Sequence, residues 1–287
     1  MLIEAYEYAV SNRESILSRL DRARHSAVID KARERWVNYI PRPSYLKVSG
    51  IDSSWNAIPY QGFYLYAVDA VSVLPDSGHL VPPKYKVGLD TLEGEEDGER
   101  VYNPRLQLET MGMEFEYQLA KESVKAADLV LVDGSVLARF YDRKQKKVKK
   151  FYEYARDLVS EEKVVFVSKT SESNIILDGP VGDIYYFNRA SSSPGYSRPY
   201  YDPVGVSILY AKLAESAPCI KVEVPGRVAP GAEKEVLDAL CTGSVLGYPY
   251  VLRAAHERCK VHLDDINRVA DTLGLSAEIG GRDVLGE

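Results

Sequence analysis

Apolar residues at Leu2, Tyr6, Ala9, Ile16, Leu20, Ala23 and Ala27 recur at intervals of three, four or seven, and residues 1–37 contain neither Gly nor Pro. That spacing predicts helix, ended by Pro41 and Pro43. Three strand-like runs follow: YLKVSGID, GFYLYAVDAVSVL and HLVPPKYKVGL. The turn signal PDSG separates the last two, so an antiparallel meander is expected. Pro104–Ala127 has a long helical pattern, and DLVLVDGS reads as a short, fully apolar strand of the kind found at a sheet centre. A basic helix to about Ser160, the strand KVVFVSK and a tyrosine-rich, hairpin-like region (DIYYFNRASSSPGYSRPYYDP) come next. VSILYAKL and CIKVEVPG predict a strand pair, GAEKEVLDAL and PYVLRAAHERCKVHL helices. The tail from Asp264 holds a short helix stopped near Gly274, then a polar end. This order is mixed α/β. No Pro/Gly-rich linker divides it, so one domain over residues 1–287 is expected: a helical extension (1–40), a core (41–263) and a tail (264–287).

Composition narrows the class. The chain has 287 residues, 45% hydrophobic and 27% charged, which excludes collagen-like, coiled-coil and disordered chains. No apolar run approaches the roughly 20 residues that cross a bilayer, and the acidic start lacks the pattern of a signal peptide. A soluble, intracellular protein is expected. Cys219, Cys241 and Cys259 are odd in number and lack C-x-x-C spacing, which predicts neither a disulfide framework nor a zinc ribbon.

The net charge is −6, but residues 139–150 (RFYDRKQKKVKK) carry seven basic residues and one acid. Such a segment can hold phosphates or form a solvated helix start. Residues 90–99 (DTLEGEEDGE) hold six acids and two glycines, a self-repelling loop by composition.

Chemistry concentrates in carboxylates. Both VSGIDSS (48–54) and LVLVDGS (129–135) deliver an Asp at the end of an apolar run, followed by small residues. Taken singly, Asp133-Gly134-Ser135 also reads as a turn and Asp52 as a helix cap. A carboxylate ending a central strand is costly to desolvate unless paired or bound to a cation. On neighbouring strands Asp52 and Asp133 would converge as hard oxygen ligands suited to Mg²⁺ or Mn²⁺. On the helix after Pro104, Glu116 falls between the apolar flanks Leu108/Phe115/Leu119 and Met113/Ala120/Ala127, with small Gly112 and Ala120 beside it. Glu114 shares a polar face, and Glu109 is the alternative on the inward edge. Two strand acids and a helix acid fit phosphoryl chemistry with one or two divalent ions. His256 shares a face with Leu252, Cys259 and Leu263, which by itself is the pattern of a core histidine. Lys169, past VVFVS, could neutralise a phosphate or simply solubilise a strand end.

GIDSS (50–54), the Glu of a long helix, LVDGS (131–135), SKTS (168–171) and GYPYVLRAAH (247–256), in that order, resemble the NurA nucleases, DNA-end-processing enzymes found chiefly in archaea. The resemblance spans residues 50–256. It implies an RNase H-like mixed sheet flanked by helices, single-strand endonuclease and 5′→3′ exonuclease activity that depends on Mn²⁺, with Mg²⁺ as the other candidate ion, and a homodimer. It further implies a HerA-type hexameric ATPase as partner, a role in double-strand-break end resection during homologous recombination, and a cytoplasmic, nucleoid-associated location. By position, Asp52, Glu116 and Asp133 would be metal ligands, His256 a further ligand or acid/base, and Lys169 a catalytic contact to substrate.

For DNA binding, the basic run supplies Arg139, Arg143, Lys144, Lys146, Lys147, Lys149 and Lys150. Alternating rings and guanidinium groups (Tyr185, Tyr186, Phe187, Arg189, Tyr196, Arg198, Tyr200, Tyr201) fit a single-strand stacking platform or an exposed hairpin. Two rivals remain. An actin-like or sugar-kinase-like ATPase also begins with a strand-end Asp but needs a glycine phosphate loop, whereas Ser-Ser-Trp-Asn follows Asp52. A non-catalytic DNA-binding scaffold has no reason to bury three acids.

Overall fold

A computed structural model describes residues 1–24, 27–75, 78–96, 99–141 and 149–278. Three helices open the chain, α1 (Ile3–Ser11), α2 (Arg13–Arg24) and α3 (Val28–Arg35), followed by β1 (Trp36–Asn38). The meander is β2 (Val48–Tyr60), β3 (Phe63–Val73) and β4 (Lys84–Asp90), with β2 and β3 joined by a two-residue turn that needs Gly62 at φ +95°. Residues 76 and 77 of the predicted PDSG turn lie outside the described residues. β5 (Glu93–Glu96) and β6 (Glu99–Tyr102) pair antiparallel, so the described part of the acidic run is largely strand rather than loop, and residues 97 and 98 lie outside the described residues.

Next come α4 (Pro104–Ser123), β7 (Leu129–Asp133), α5 (Val136–Tyr141), α6 (Lys149–Leu158) and β8 (Val164–Ser168). α4 starts where Pro104 occupies its first turn and the Asn103 side chain accepts a hydrogen bond from Leu106 N at 3.2 Å. It ends at Ser123, one turn short of the expected Ala127. The remainder is α7 (Asp183–Ala190), β9 (Gly195–Ser197), β10 (Tyr200–Asp202), β11 (Val206–Lys212), β12 (Ile220–Pro225), α8 (Ala232–Cys241), β13 (Ser244–Val245), β14 (Tyr248–Pro249), α9 (Tyr250–Cys259) and α10 (Leu263–Thr272). The tyrosine-rich region is therefore not a hairpin: it opens as a helix, because Asp183, Tyr186 and Phe187 recur at helical spacing and bury, and its two short strands both pair with β11 rather than with each other.

Ten strands form one sheet in the order β1-β9-β11-β12-β8-β7-β2-β3-β4, with β10 against β11. β7 runs parallel to both β2 and β8, and the meander β2–β3–β4 is antiparallel. A three-strand meander whose first strand is extended by two parallel strands, with helices between them, is the RNase H-like arrangement. The continuous apolar runs VLVD and VVFVS occupy its centre, as strands covered on both faces require.

Strand alternation sorts the core into two layers. Ile51, Val130, Val132 and Phe166 face α4 with Leu119 and Ala120, while Val48, Leu131, Val165 and Val167 face α9 with Val251 and Leu252. Each layer has one close approach. A Cβ on Gly50 would lie 2.5 Å from the Val251 backbone, so only glycine lets α9 seat on β2. A Cβ on Gly112 would lie 2.9 Å from Ser53 Oγ, so the small residue anticipated in α4 sets its contact with the sheet.

Candidate active site

Asp52 does not end its strand. β2 runs on to Tyr60, and the polar residues Asp52, Ser53, Ser54 and Asn56 mark where it passes out of the two-sided core. Without a loop after Asp52, the phosphate-loop geometry of a kinase-like ATPase has no place. The register of β2 beside β7, Ile51 opposite Val132, brings Asp52 level with Asp133 at the end of β7. Both follow the alternation onto the α9 face, two residues beyond Gly50 and Leu131.

On α9, Val251, Leu252, Ala255 and Cys259 bury, and His256 stands at the edge of that stripe over Asp52. His256 Nδ1 lies 2.9 Å from Asp52 Oδ2. Asp52, Asp133 and His256 each offer a ligand atom, and these atoms lie within 4.8 Å of one another. The backbone N–H of Ser53 donates to Asp52 Oδ1 at 2.8 Å. Asp133 receives Lys169 Nζ at 3.0 Å on Oδ2 and the Tyr248 hydroxyl at 3.3 Å on Oδ1. Lys169 also stands 4.9 Å from the Tyr248 ring centroid.

Burial pushes the Asp52 carboxyl up to about 7, helped by the charges of Glu116 and Asp133 and opposed by hydrogen bonds from His256 and Ser53. Burial, followed by the charge of Asp133, pushes the Tyr248 hydroxyl well above its ordinary range. Like-charged carboxylates gathered this closely gain from a cation between them. Two hard carboxylates with one imidazole suit a divalent ion such as Mn²⁺.

Glu116 is 5% exposed and points inward as its helix phase predicted, but from the other face of the sheet. The Ser53 hydroxyl donates to its Oε1 at 2.6 Å, and Arg139 Nη2 donates to its Oε2 at 2.6 Å. It is not part of the three-residue group. Glu109 pairs instead with exposed Arg105 on the helix surface.

Several expected DNA contacts lie elsewhere. Arg139 is buried against Glu116, because α5 turns it inward with Val136 and Phe140. Tyr186 and Tyr196 are core residues, 0% and 6% exposed, and cannot stack on bases. Arg189, Arg198 and Tyr201 are exposed. Arg189 covers the Tyr185 ring at 3.8 Å, and Arg227 covers Tyr201 at 4.3 Å. Arg143, Lys144, Lys146 and Lys147 lie outside the described residues, as do the side chains of Lys149 and Lys150. Tyr248 was missed as a site residue, although its place in GYP before the α9 histidine was a usable signal.

Two cavities meet at Lys169. One, about 810 Å³, extends past Ser135, Ser171, Tyr185 and Arg189, and the other, about 350 Å³, past Tyr248, Arg253 and His256. Of the clustered group His256 lines the smaller cavity, and Lys169, bonded to Asp133, lines both.

Fold and site together define an RNase H-like protein with a carboxylate–imidazole cluster at the end of its central parallel strands. A family model for the NurA domain matches residues 46–261, and the chain belongs to that family. A curated relative, the probable DNA double-strand break repair nuclease NurA of Methanocaldococcus jannaschii, is 21% identical, with 98% of this chain and 92% of that protein covered. The crystal structure of the NurA nuclease from Sulfolobus solfataricus superposes with a TM-score of 0.76 at 20% identity, over 96% of this chain and 97% of that one. A crystal structure of NurA bound to dAMP and manganese gives 0.64 at 10% identity, over 94% and 97%. At these identities the structural likenesses speak for the fold.

Proposed function

We propose that this protein is a divalent-metal-dependent DNA nuclease of double-strand-break repair, with Mn²⁺ as its working ion. The observation that carries this reading is the convergence of Asp52, Asp133 and His256 within 4.8 Å on a fold shared with a NurA nuclease. The curated relative named as a repair nuclease supports the pathway, and the NurA structure with manganese and dAMP supports ion and substrate class. Single-strand endonuclease and 5′→3′ exonuclease action, a homodimer and a HerA-type hexameric ATPase partner belong to the same proposal. So do residues 1–40 and 264–287 as additions to one catalytic domain.

Asp52, Asp133 and His256 would hold the ion, which when bound activates water and offsets charge on the leaving oxygen. The chain's own residues prepare the rest. Ser53 N–H and His256 fix the rotamer of Asp52, while Tyr248 and Lys169 fix both oxygens of Asp133. Lys169 stands where the two cavities meet, so its ammonium can neutralise a phosphate passing between them. Arg189 and Tyr185 line the larger cavity as cation and ring for an unpaired nucleotide, and exposed Arg198 and Tyr201 extend the candidate DNA surface.

The deciding experiment is degradation of an end-labelled single strand with Mn²⁺, comparing wild type with Asp52→Ala and Asp133→Ala. Both variants should fold, bind DNA and fail to cleave. Full cleavage by both removes the reading.

A further inference from the structure

A two-residue turn, Leu246-Gly247, joins β13 to β14. Both residues have positive φ, 54° and 78°. Tight hairpins demand that twist, and Asn, Asp or Gly normally supplies it at the first position. Leucine there is strained, because its Cβ crowds the following carbonyl. The other described leucine at positive φ, Leu92, is 2% exposed and packs with Tyr66 and Leu108, so burial offsets its strain. Leu246 is 85% exposed and has no such offset. Strain that the packing does not account for points to a contact made in function.

The hairpin is fixed against the site. A Cβ on Gly247 would lie 2.3 Å from the Ala217 Cβ, so only glycine lets the turn seat on the segment before β12. One residue on, the Tyr248 hydroxyl donates to Asp133 Oδ1 at 3.3 Å. Leu246 shares the cavity of about 350 Å³ with His256, Tyr248 and Lys169, and Pro218 and Ile220 give that cavity an apolar bed.

Resting on the reading of this site as a DNA nuclease centre, we propose that Leu246 is a wedge that parts the two bases beside the scissile phosphate. Its side chain enters between neighbouring bases, as apolar wedges do elsewhere in DNA recognition. One base turns toward the apolar bed, and Lys169 faces the phosphate. A single strand gives up only a stacking contact for this, whereas a duplex must also give up pairing. The wedge therefore favours unpaired DNA, and it touches the substrate without touching the ion.

Leu246→Gly and Leu246→Asn relieve the backbone, since both residues adopt positive φ more readily than leucine. Both should melt at or near the wild-type temperature, and Leu246→Asn replaces Leu246→Gly if the latter does not fold. With Mn²⁺, Leu246→Gly should cleave an end-labelled single strand about 10-fold more slowly. Leu246→Met, which keeps an apolar side chain, should stay within about threefold of wild type. A second readout needs no cleavage. Asp133→Asn should raise the fluorescence of a bound 2-aminopurine strand as its bases unstack, and Asp133→Asn combined with Leu246→Gly should bind the strand without that rise. Either readout left unmoved by Leu246→Gly overturns the inference. So does a drop in oligomeric mass on Leu246→Gly, which assigns the side chain to a contact between copies. If Asp133→Asn cleaves as fast as wild type, the ion-site reading falls, and the fluorescence comparison still decides the wedge.

Discussion

The two faces of β2 treat acids in opposite ways. On the α9 face, Asp133 keeps 16% and His256 45% of the side chain exposed; Asp133 is paired with half-exposed Lys169, and Asp52 meets the His256 imidazole. On the α4 face, Glu116 is sealed and already neutralised by Arg139. Adjacent residues of one strand, Asp52 and Ser53, address the two environments. The first is bonded to His256 and to its neighbour's backbone N–H, and the second bonds a glutamate already paired with arginine. What separates the two faces is access to water, not the number of carboxylates or the presence of a counter-charge: Asp133 is paired with half-exposed Lys169, whereas Arg139 and Glu116 are both enclosed.

The sharpest way to break the contrast is to remove the α9-face groups in turn. Asp133→Asn should lower Mn²⁺-dependent cleavage by about 10³-fold or more, since the ion loses an anionic ligand. Labelled-strand assays with melting curves as a folding control measure this. His256→Ala should weaken Mn²⁺ binding by about 10- to 100-fold, read by calorimetry.

The next test compares the two close approaches. Gly50→Ala drives a methyl into the Val251 backbone and should cost about 1–3 kcal/mol of stability. Gly112→Ala meets only a serine hydroxyl at 2.9 Å and should cost less, with disturbance of Glu116 as its main effect. Urea unfolding of both variants compares them.

The pH dependence of the metal-free protein probes the α9 face. In the unfolded chain Asp52 ionises near about 4, whereas in the folded protein it does so at about 7. Its contribution to stability is therefore complete below the lower value and is lost as pH rises through the upper one. The metal-free melting temperature should fall between about pH 4 and 7 and level off above, and added Mn²⁺ should reverse the fall. Asp52→Asn should flatten the profile and raise stability at pH 8 by roughly 1–3 kcal/mol. A profile unchanged by Asp52→Asn would place the strain elsewhere.

The smallest expected effect is on substrate. Arg189→Ala should weaken single-strand binding by several-fold, from loss of a cation stacked beside Tyr185, with a shallower salt dependence in fluorescence anisotropy. An unchanged slope would remove Arg189 from the DNA path.

Local pattern was enough for much of this. Apolar runs around Val48–Ile51 and Leu129–Val132 marked the two strands whose neighbourhood aligns Asp52 with Asp133, and the 3.6-residue phase of α4 turned Glu116 rather than Glu114 inward. Motif order from GIDSS to GYPYVLRAAH identified the family, later matched over residues 46–261. Other features depended on which surfaces meet. A basic run looks alike whether solvated or turned inward, so Arg139 gave no sign of its buried partner. Tyr186 and Tyr196 alternate with arginines in the chain, yet α7 and β9 bury both rings, because a helix and a strand expose different members of one pattern. Sequence thus determined the elements, the family and which acids face inward. Tertiary structure alone decided on which side of the sheet each acid emerges and which counter-charge reaches it, since charge neutralisation acts through space between segments that periodicity cannot relate.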